Sequence, residues 1–242
     1  MSRNETSLAR ECLYRFFSLA ITEPDDLDWC GLLDPASQEI AKASGDALDV
    51  EHDDAIGPAV AAVLVALRQP MDELRLEYQR VFGLTPAREC PPFETEYHGN
   101  AEPFYCSQQL ADIAGFYRAF GLNPGPMATV RPDHLALEFE FMAFLLMKQR
   151  LLEGHNTEAL EVCAKAERDF FCEHIAWWTP AFAAGLIKRA GSGIYEALGR
   201  AIRALIVSEC RRFGVTPIRT PLAVVAAEER EEPSECAGCA AN

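Results

Sequence analysis

Three groups of residues in this 242-residue chain have types and spacings that suit chemistry. The first is Asp133-His134, with Glu138 four residues further on. An acid beside an imidazole suggests an acid–base couple, but adjacent residues on a helix do not face each other, and Asp133 is also placed to cap one. His134 and Glu138 share a helical face at i, i+4, which suits a structural pair or contact with a ligand. The second group is Cys90-Pro-Pro-Phe-Glu-Thr-Glu-Tyr-His98. Here Glu94, Glu96 and His98 alternate with Phe93 and Tyr97 on a proline-stiffened loop. Such a loop either recognises a peptide that is part apolar and part basic, or packs its rings inward and leaves its acids in water. The third is Cys236-Ala-Gly-Cys239, next to the acidic run that starts at Glu228. Two thiolates fall short of the four ligands of a closed zinc site. They serve metal binding between chains, redox exchange, or no purpose beyond a solvated tail.

Several motifs are missing. The sequence has no Gly-x-Gly-x-x-Gly, no phosphate loop, no His-Glu-x-x-His and no Gly-x-Ser-x-Gly. None of the five histidines follows a Glu by three residues, which excludes the paired Glu-x-x-His of helical di-metal oxidases. A hydrolase built on His134 and Asp133 lacks a nucleophile nearby. These absences argue against a nucleotide-dependent enzyme, a helical metal oxidase and a His134-based hydrolase.

These groups must be positioned by helices. Arg131 to Arg150 is apolar on nearly every face, as a buried central helix requires, with Pro132 and Asp133 as its start signals. Other helical patterns begin after Thr6, run over Ala36–Leu48 and Ala59–Leu67, and run from Pro70 to a stop at Gly83. A short helix carries Leu27 and Trp29, and an acidic loop covers Gly45–Asp54. Further helices are expected from a cap at Ser107 to Gly121, from Thr157, from Pro180 to Ala190, and from Ser192 to Phe213. No alternating strand is present. The reading is all-α, a single compact helical domain of nine or ten helices over residues 1–215, followed by a flexible acidic tail over 216–242.

Composition narrows the partners. A net charge of -15 and a pI near 4.8 disfavour nucleic acid and anionic membrane. The amino terminus lacks the apolar core of a secretory signal, and no apolar run is long enough to cross a membrane. Nine cysteines, odd in number and scattered, read as reduced thiols of a cytoplasmic protein. Either a monomer or a homodimer is compatible with this.

Two of these segments carry a family likeness. Glu77-Tyr78-Gln79-Arg80-Val81-Phe82, followed by Pro91-Pro92-Phe93-Glu94 and Tyr97, resembles the Tyr-x-Arg-Leu-Phe and Pro-Pro-Tyr-Glu-Ser-x-Tyr stretch of the TorD/DmsD/NarJ family. Pro132-Asp133-His134-Leu135 with Glu138 to Met142 looks like that family's Pro-Asp-His helix, and the run Phe170 to Trp178 fits its later helices. The resemblance covers residues 5 to 215. It implies a TorD-like fold and a cytoplasmic chaperone, not an enzyme and with no cofactor or metal of its own, for assembly, cofactor insertion and export proofreading of a molybdenum-containing oxidoreductase. The implied partner is that enzyme's twin-arginine leader or its catalytic subunit, and the expected peptide-binding residues are Glu94, Tyr97, His98, Asp133, His134 and Glu138. The family's acid-Pro-x-Asp-His hinge is altered here: Pro132 stands directly before Asp133, and Arg131 precedes it. The alternative is a metal- or cofactor-handling protein that uses Cys236 and Cys239.

Overall fold

A computed structural model describes residues 3–24, 29–50, 54–83, 90–99, 103–122 and 131–216. Among them are ten α-helices: α1 (Arg3–Ile21), α2 (Cys30–Leu33), α3 (Pro35–Asp49), α4 (Ile56–Ala66), α5 (Met71–Phe82), α6 (Pro103–Ala119), α7 (Leu135–Leu152), α8 (Thr157–Phe170), α9 (Thr179–Ala190) and α10 (Ile194–Phe213). A 3₁₀ turn covers Glu94–Tyr97, and a π-helical turn covers Phe171–Ile175 directly after α8. The described residues contain no strand, and the expected all-α architecture holds. The tail with Cys236 and Cys239 lies outside the described residues.

The expected central helix is α7. It buries Leu135, Phe139, Phe141, Met142, Leu145 and Leu146 on successive faces, packed between α1 and α8. Its start differs from expectation. The helix begins at Leu135, and the capping residue is His134, whose Nδ1 accepts the Ala136 N–H at 3.1 Å. Asp133 is not the cap, because its carboxylate is committed elsewhere. Ser107 is likewise not a cap but lies inside α6, and α3 runs on to Asp49 through part of the expected acidic loop.

Several helix ends are completed by side chains distant in sequence. Asp49, at the end of α3, accepts the N–H groups of Ile56 and Gly57 at 2.9 and 2.8 Å and so opens α4. Where α3 and α4 cross, a Cβ on Gly45 would stand 2.9 Å from the Cα of Gly57, so both positions need glycine for the close approach. Glu77 of α5 accepts the Ile194 N–H at 2.9 Å and opens α10, in place of the expected Ser192 cap.

One buried ion network fastens four helices. Arg10 of α1 donates to Glu209 of α10 at 2.7 Å and to Glu167 of α8 at 2.5 Å. Tyr14 donates to Glu209 at 3.0 Å, and Gln149 of α7 to Glu167 at 2.6 Å. All five side chains are buried. Removing the cation leaves two desolvated carboxylates without their main partner.

This network sets an expected stability difference. Arg10→Ala lowers unfolding free energy by about 3–5 kcal/mol in urea denaturation. Arg200→Ala, which breaks the half-exposed pair with Glu196, changes it by less than about 1 kcal/mol. Equal effects would contradict the assignment. The start of α7 sets a dependence on pH. Burial pushes His134 down to about 4 from its usual 6.5, with the Asp133 charge opposing the shift and the Arg131 charge adding to it, so the folded state holds it neutral. The unfolded chain takes up the proton first, so stability present above pH 6.5 is lost as pH falls towards 4, by up to about 3 kcal/mol. His134→Asn keeps a capping acceptor and flattens that acid limb; superimposable profiles of denaturation midpoint against pH would count against it.

Candidate functional site

The two motif segments meet at the start of α7. Phe93 is extended and forms an isolated antiparallel bridge with His134. Leu135 N–H donates to the Pro92 carbonyl at 2.9 Å, and Glu94 N–H to the Asp133 carbonyl at 3.0 Å. The proline segment thus satisfies a backbone donor that the first turn of α7 would otherwise leave unpaired. The chain then turns through Glu94–Tyr97.

Asp133 locks this junction. Its side chain is fully buried and accepts from the Thr95 N–H at 3.2 Å and the Thr95 hydroxyl at 2.7 Å. Arg131 donates to the same carboxylate from Nε at 3.0 Å and from a terminal nitrogen at 2.8 Å. Arg131 also reaches Glu96 at 3.1 Å and lies over the Phe93 ring at 4.4 Å. The altered residue of the hinge therefore balances a buried carboxylate and clamps the proline segment from outside.

Glu94 turns the other way, into the molecule. Its carboxylate meets His174 Nδ1 at 3.1 Å and accepts the Trp177 indole N–H at 2.9 Å. Burial raises its pKa, and the contacts to His174 and Trp177 oppose the rise. Glu138 is also fully buried, and neither of its oxygens has a hydrogen-bond partner. Desolvation first, then the charges of Glu94 and Asp133, drive Glu138 well above the ordinary carboxylate range, which favours the neutral acid. The Trp178 indole N–H on this side is already engaged, donating to the His174 carbonyl at 2.5 Å. Tyr97 is buried against Trp178, with ring centroids 5.0 Å apart and its hydroxyl unpartnered. His98 lies against Trp177 with tilted rings whose centroids are 4.3 Å apart; it is half-buried, and burial lowers its pKa.

All six expected residues are thus brought to one junction, but four of them are not on its surface. Glu94, Asp133 and Glu138 are at 0% exposure and Tyr97 at 5%. Phe93, His98, Arg131 and Trp177 are partly exposed at the rim, and Glu96 is open. Asp133 pairs with Arg131 and Thr95, and His134 Nδ1 caps α7, so the two form no acid–base dyad. His174, Trp177 and Trp178 belong to the site, though their run had suggested only a later helix. The available signal was the adjacent Glu173-His174, an acid–imidazole pair as visible in the sequence as Asp133-His134. The π turn brings His174 to Glu94, and π turns often occur at functional sites. Among the described residues, Asp112, Glu173 and His174 could hold a metal ion, with one ligand atom from each inside 4.8 Å of the others.

The comparisons with known proteins concern this same region. The model of the family described as nitrate reductase delta subunit matches residues 48–184, which include both motif segments and the π turn. The chain is 30% identical over 110 residues to the chlorate reductase assembly chaperone protein of Ideonella dechloratans, covering 45% of this chain and 54% of that protein. It is 30% identical over 105 residues to the selenate reductase assembly chaperone protein of Thauera selenatis, covering 43% and 53%. It is also 30% identical over 100 residues to the chaperone protein TorD of Vibrio cholerae serotype O1, covering 41% and 43%. The matched stretch spans about half the length of these relatives. No helix among the described residues is long and apolar enough to cross a membrane. With more than half of its length matched by the family model, the chain belongs to the nitrate reductase delta subunit family, the TorD/NarJ type of redox enzyme maturation chaperones.

Proposed function

We propose that the chain is an assembly chaperone for a molybdenum-containing oxidoreductase. It holds the catalytic subunit, through its twin-arginine leader or its mature part, while the cofactor is inserted and before export. The observation that carries this reading is the family match over residues 48–184 together with relatives named as reductase assembly chaperones. Glu94, Tyr97, Asp133 and Glu138 act from within, setting the shape of the junction. His98 and His134, with Phe93, Glu96 and Arg131 around them, make up the face offered to the client.

The physical scale suits reversible holding. A client segment burying about 600 Å² of apolar surface gains about 15 kcal/mol gross at about 25 cal/mol/Å². Ordering a flexible peptide and fixing its position costs about 4–15 kcal/mol, which leaves room for micromolar affinity. Charge contacts on the exposed rim add at most about 1 kcal/mol each and discriminate between clients more than they hold them. A chaperone that must hand its client on needs that balance.

Affinity capture of the full chain from its own cells, with mass spectrometry of what accompanies it, tests the reading. A molybdoenzyme catalytic subunit is expected in the eluate. Glu96→Lys on the open rim is expected to reduce that recovery several-fold, whereas Asp72→Lys, an exposed acid on α5 outside the rim, leaves it unchanged. Recovery without any molybdoenzyme subunit counts against the function. Equal recovery by both variants counts against the face.

A further inference from the structure

We propose that His174, Asp112 and Glu173 form a binding site for a divalent transition-metal ion of the zinc class, with Glu94 orienting the imidazole from behind. The inference rests on the geometry of these four side chains and not on the chaperone reading. His174 is 1% exposed, and its Nε2 is buried without a hydrogen-bond partner. An unpaired imidazole nitrogen in the interior is costly, which calls for an explanation. This one stands beside the Asp112 carboxylate. Ligand atoms of Asp112, Glu173 and His174 all lie within 4.8 Å of one another, and His174 Nε2 stands 3.5 Å from Asp112 Oδ2 without hydrogen-bond alignment. Two ligands held at about 2.0–2.1 Å on a tetrahedral ion are themselves about 3.3 Å apart, so an ion fits with small side-chain adjustments.

The shell behind the imidazole supports the same assignment. Ligating histidines almost always give their other ring N–H to a carboxylate or carbonyl, which fixes the tautomer and increases ligand basicity. Here Nδ1 faces Glu94 Oε2 at 3.1 Å, while Glu94 Oε1 accepts the Trp177 indole N–H at 2.9 Å. With Glu94 ionised, both of its oxygens accept, Nδ1 carries the proton and Nε2 offers its lone pair outward. Asp112 is 61% exposed and Glu173 is exposed, so an ion reaches the site from solvent and three protein ligands leave a fourth position open. One imidazole and two carboxylates form a donor set that zinc accepts readily. A bound ion would join α6 to the π turn and, through Glu94, to the proline segment.

The test uses the full chain carrying Cys236→Ser and Cys239→Ser, so that tail thiols do not contribute. Zn²⁺ is titrated in competition with a chromophoric chelator, and Co²⁺ is used as a spectroscopic probe. One equivalent of Zn²⁺ is expected. Asp112→Asn and Glu173→Gln, both at exposed positions, should each weaken binding at least tenfold while the far-ultraviolet circular dichroism stays unchanged. The Co²⁺ form should show ligand-field bands without a thiolate charge-transfer band. Absence of Zn²⁺ binding, unchanged affinity in both variants, or a thiolate band would overturn the assignment. None of these outcomes depends on which client the protein binds.

Discussion

The buried carboxylate of Asp133 is the constraint on which the rest of the site depends. An ionised acid at 0% exposure costs several kcal/mol unless it is paired and hydrogen-bonded. Its partners come from two places: Thr95 on the proline segment and Arg131 just upstream of α7. Satisfying the one charge therefore requires the proline segment to lie against the start of α7. Once there, the segment gives its Pro92 carbonyl to the first turn of the helix, and Glu94 is aimed at His174. A local electrostatic requirement thus fixes the relation between residues about forty positions apart.

The same arrangement separates buried acids from an exposed rim. Three acids converge below the surface, and their different environments give them different characters. Asp133 is matched by a guanidinium, Glu94 by an imidazole and an indole, and Glu138 by no hydrogen-bond donor. The surface above them has rings and charges at its rim, namely Phe93, His98, Trp177, Glu96 and Arg131. The carboxylates beneath set where those rim groups stand.

Much of the fold was legible in the sequence because burial leaves a periodic trace. The central helix could be read from apolar residues between Leu135 and Met147, and the stop at Gly83 from a residue that takes a positive φ of 58°. Helix starts were read less well, since their caps came from elsewhere: Glu77 reaches α10 from α5, and Asp49 reaches α4 from α3. No local pattern encodes such pairings. The six candidate residues were found by type and family likeness, and the structure gathers them. Their depth was not legible, because an acid on a loop looks solvated until its partners are known. Glu94 is buried by His174 and Trp177, about eighty residues away. Arg131 looked like a departure from a pattern, and its role became clear only beside Asp133 and Glu96.

Amide hydrogen exchange resolved at Glu94, Thr95 and Leu135 tests the central claim most directly, comparing wild type with Asp133→Asn. If the buried carboxylate docks the proline segment onto α7, all three amides are strongly protected in wild type and exchange through one shared opening. Asp133→Asn should then accelerate all three together, while amides in the middle of α7 change less. Unprotected exchange of Glu94 and Thr95 in wild type, or a response to Asp133→Asn confined to one side of the junction, would contradict the account.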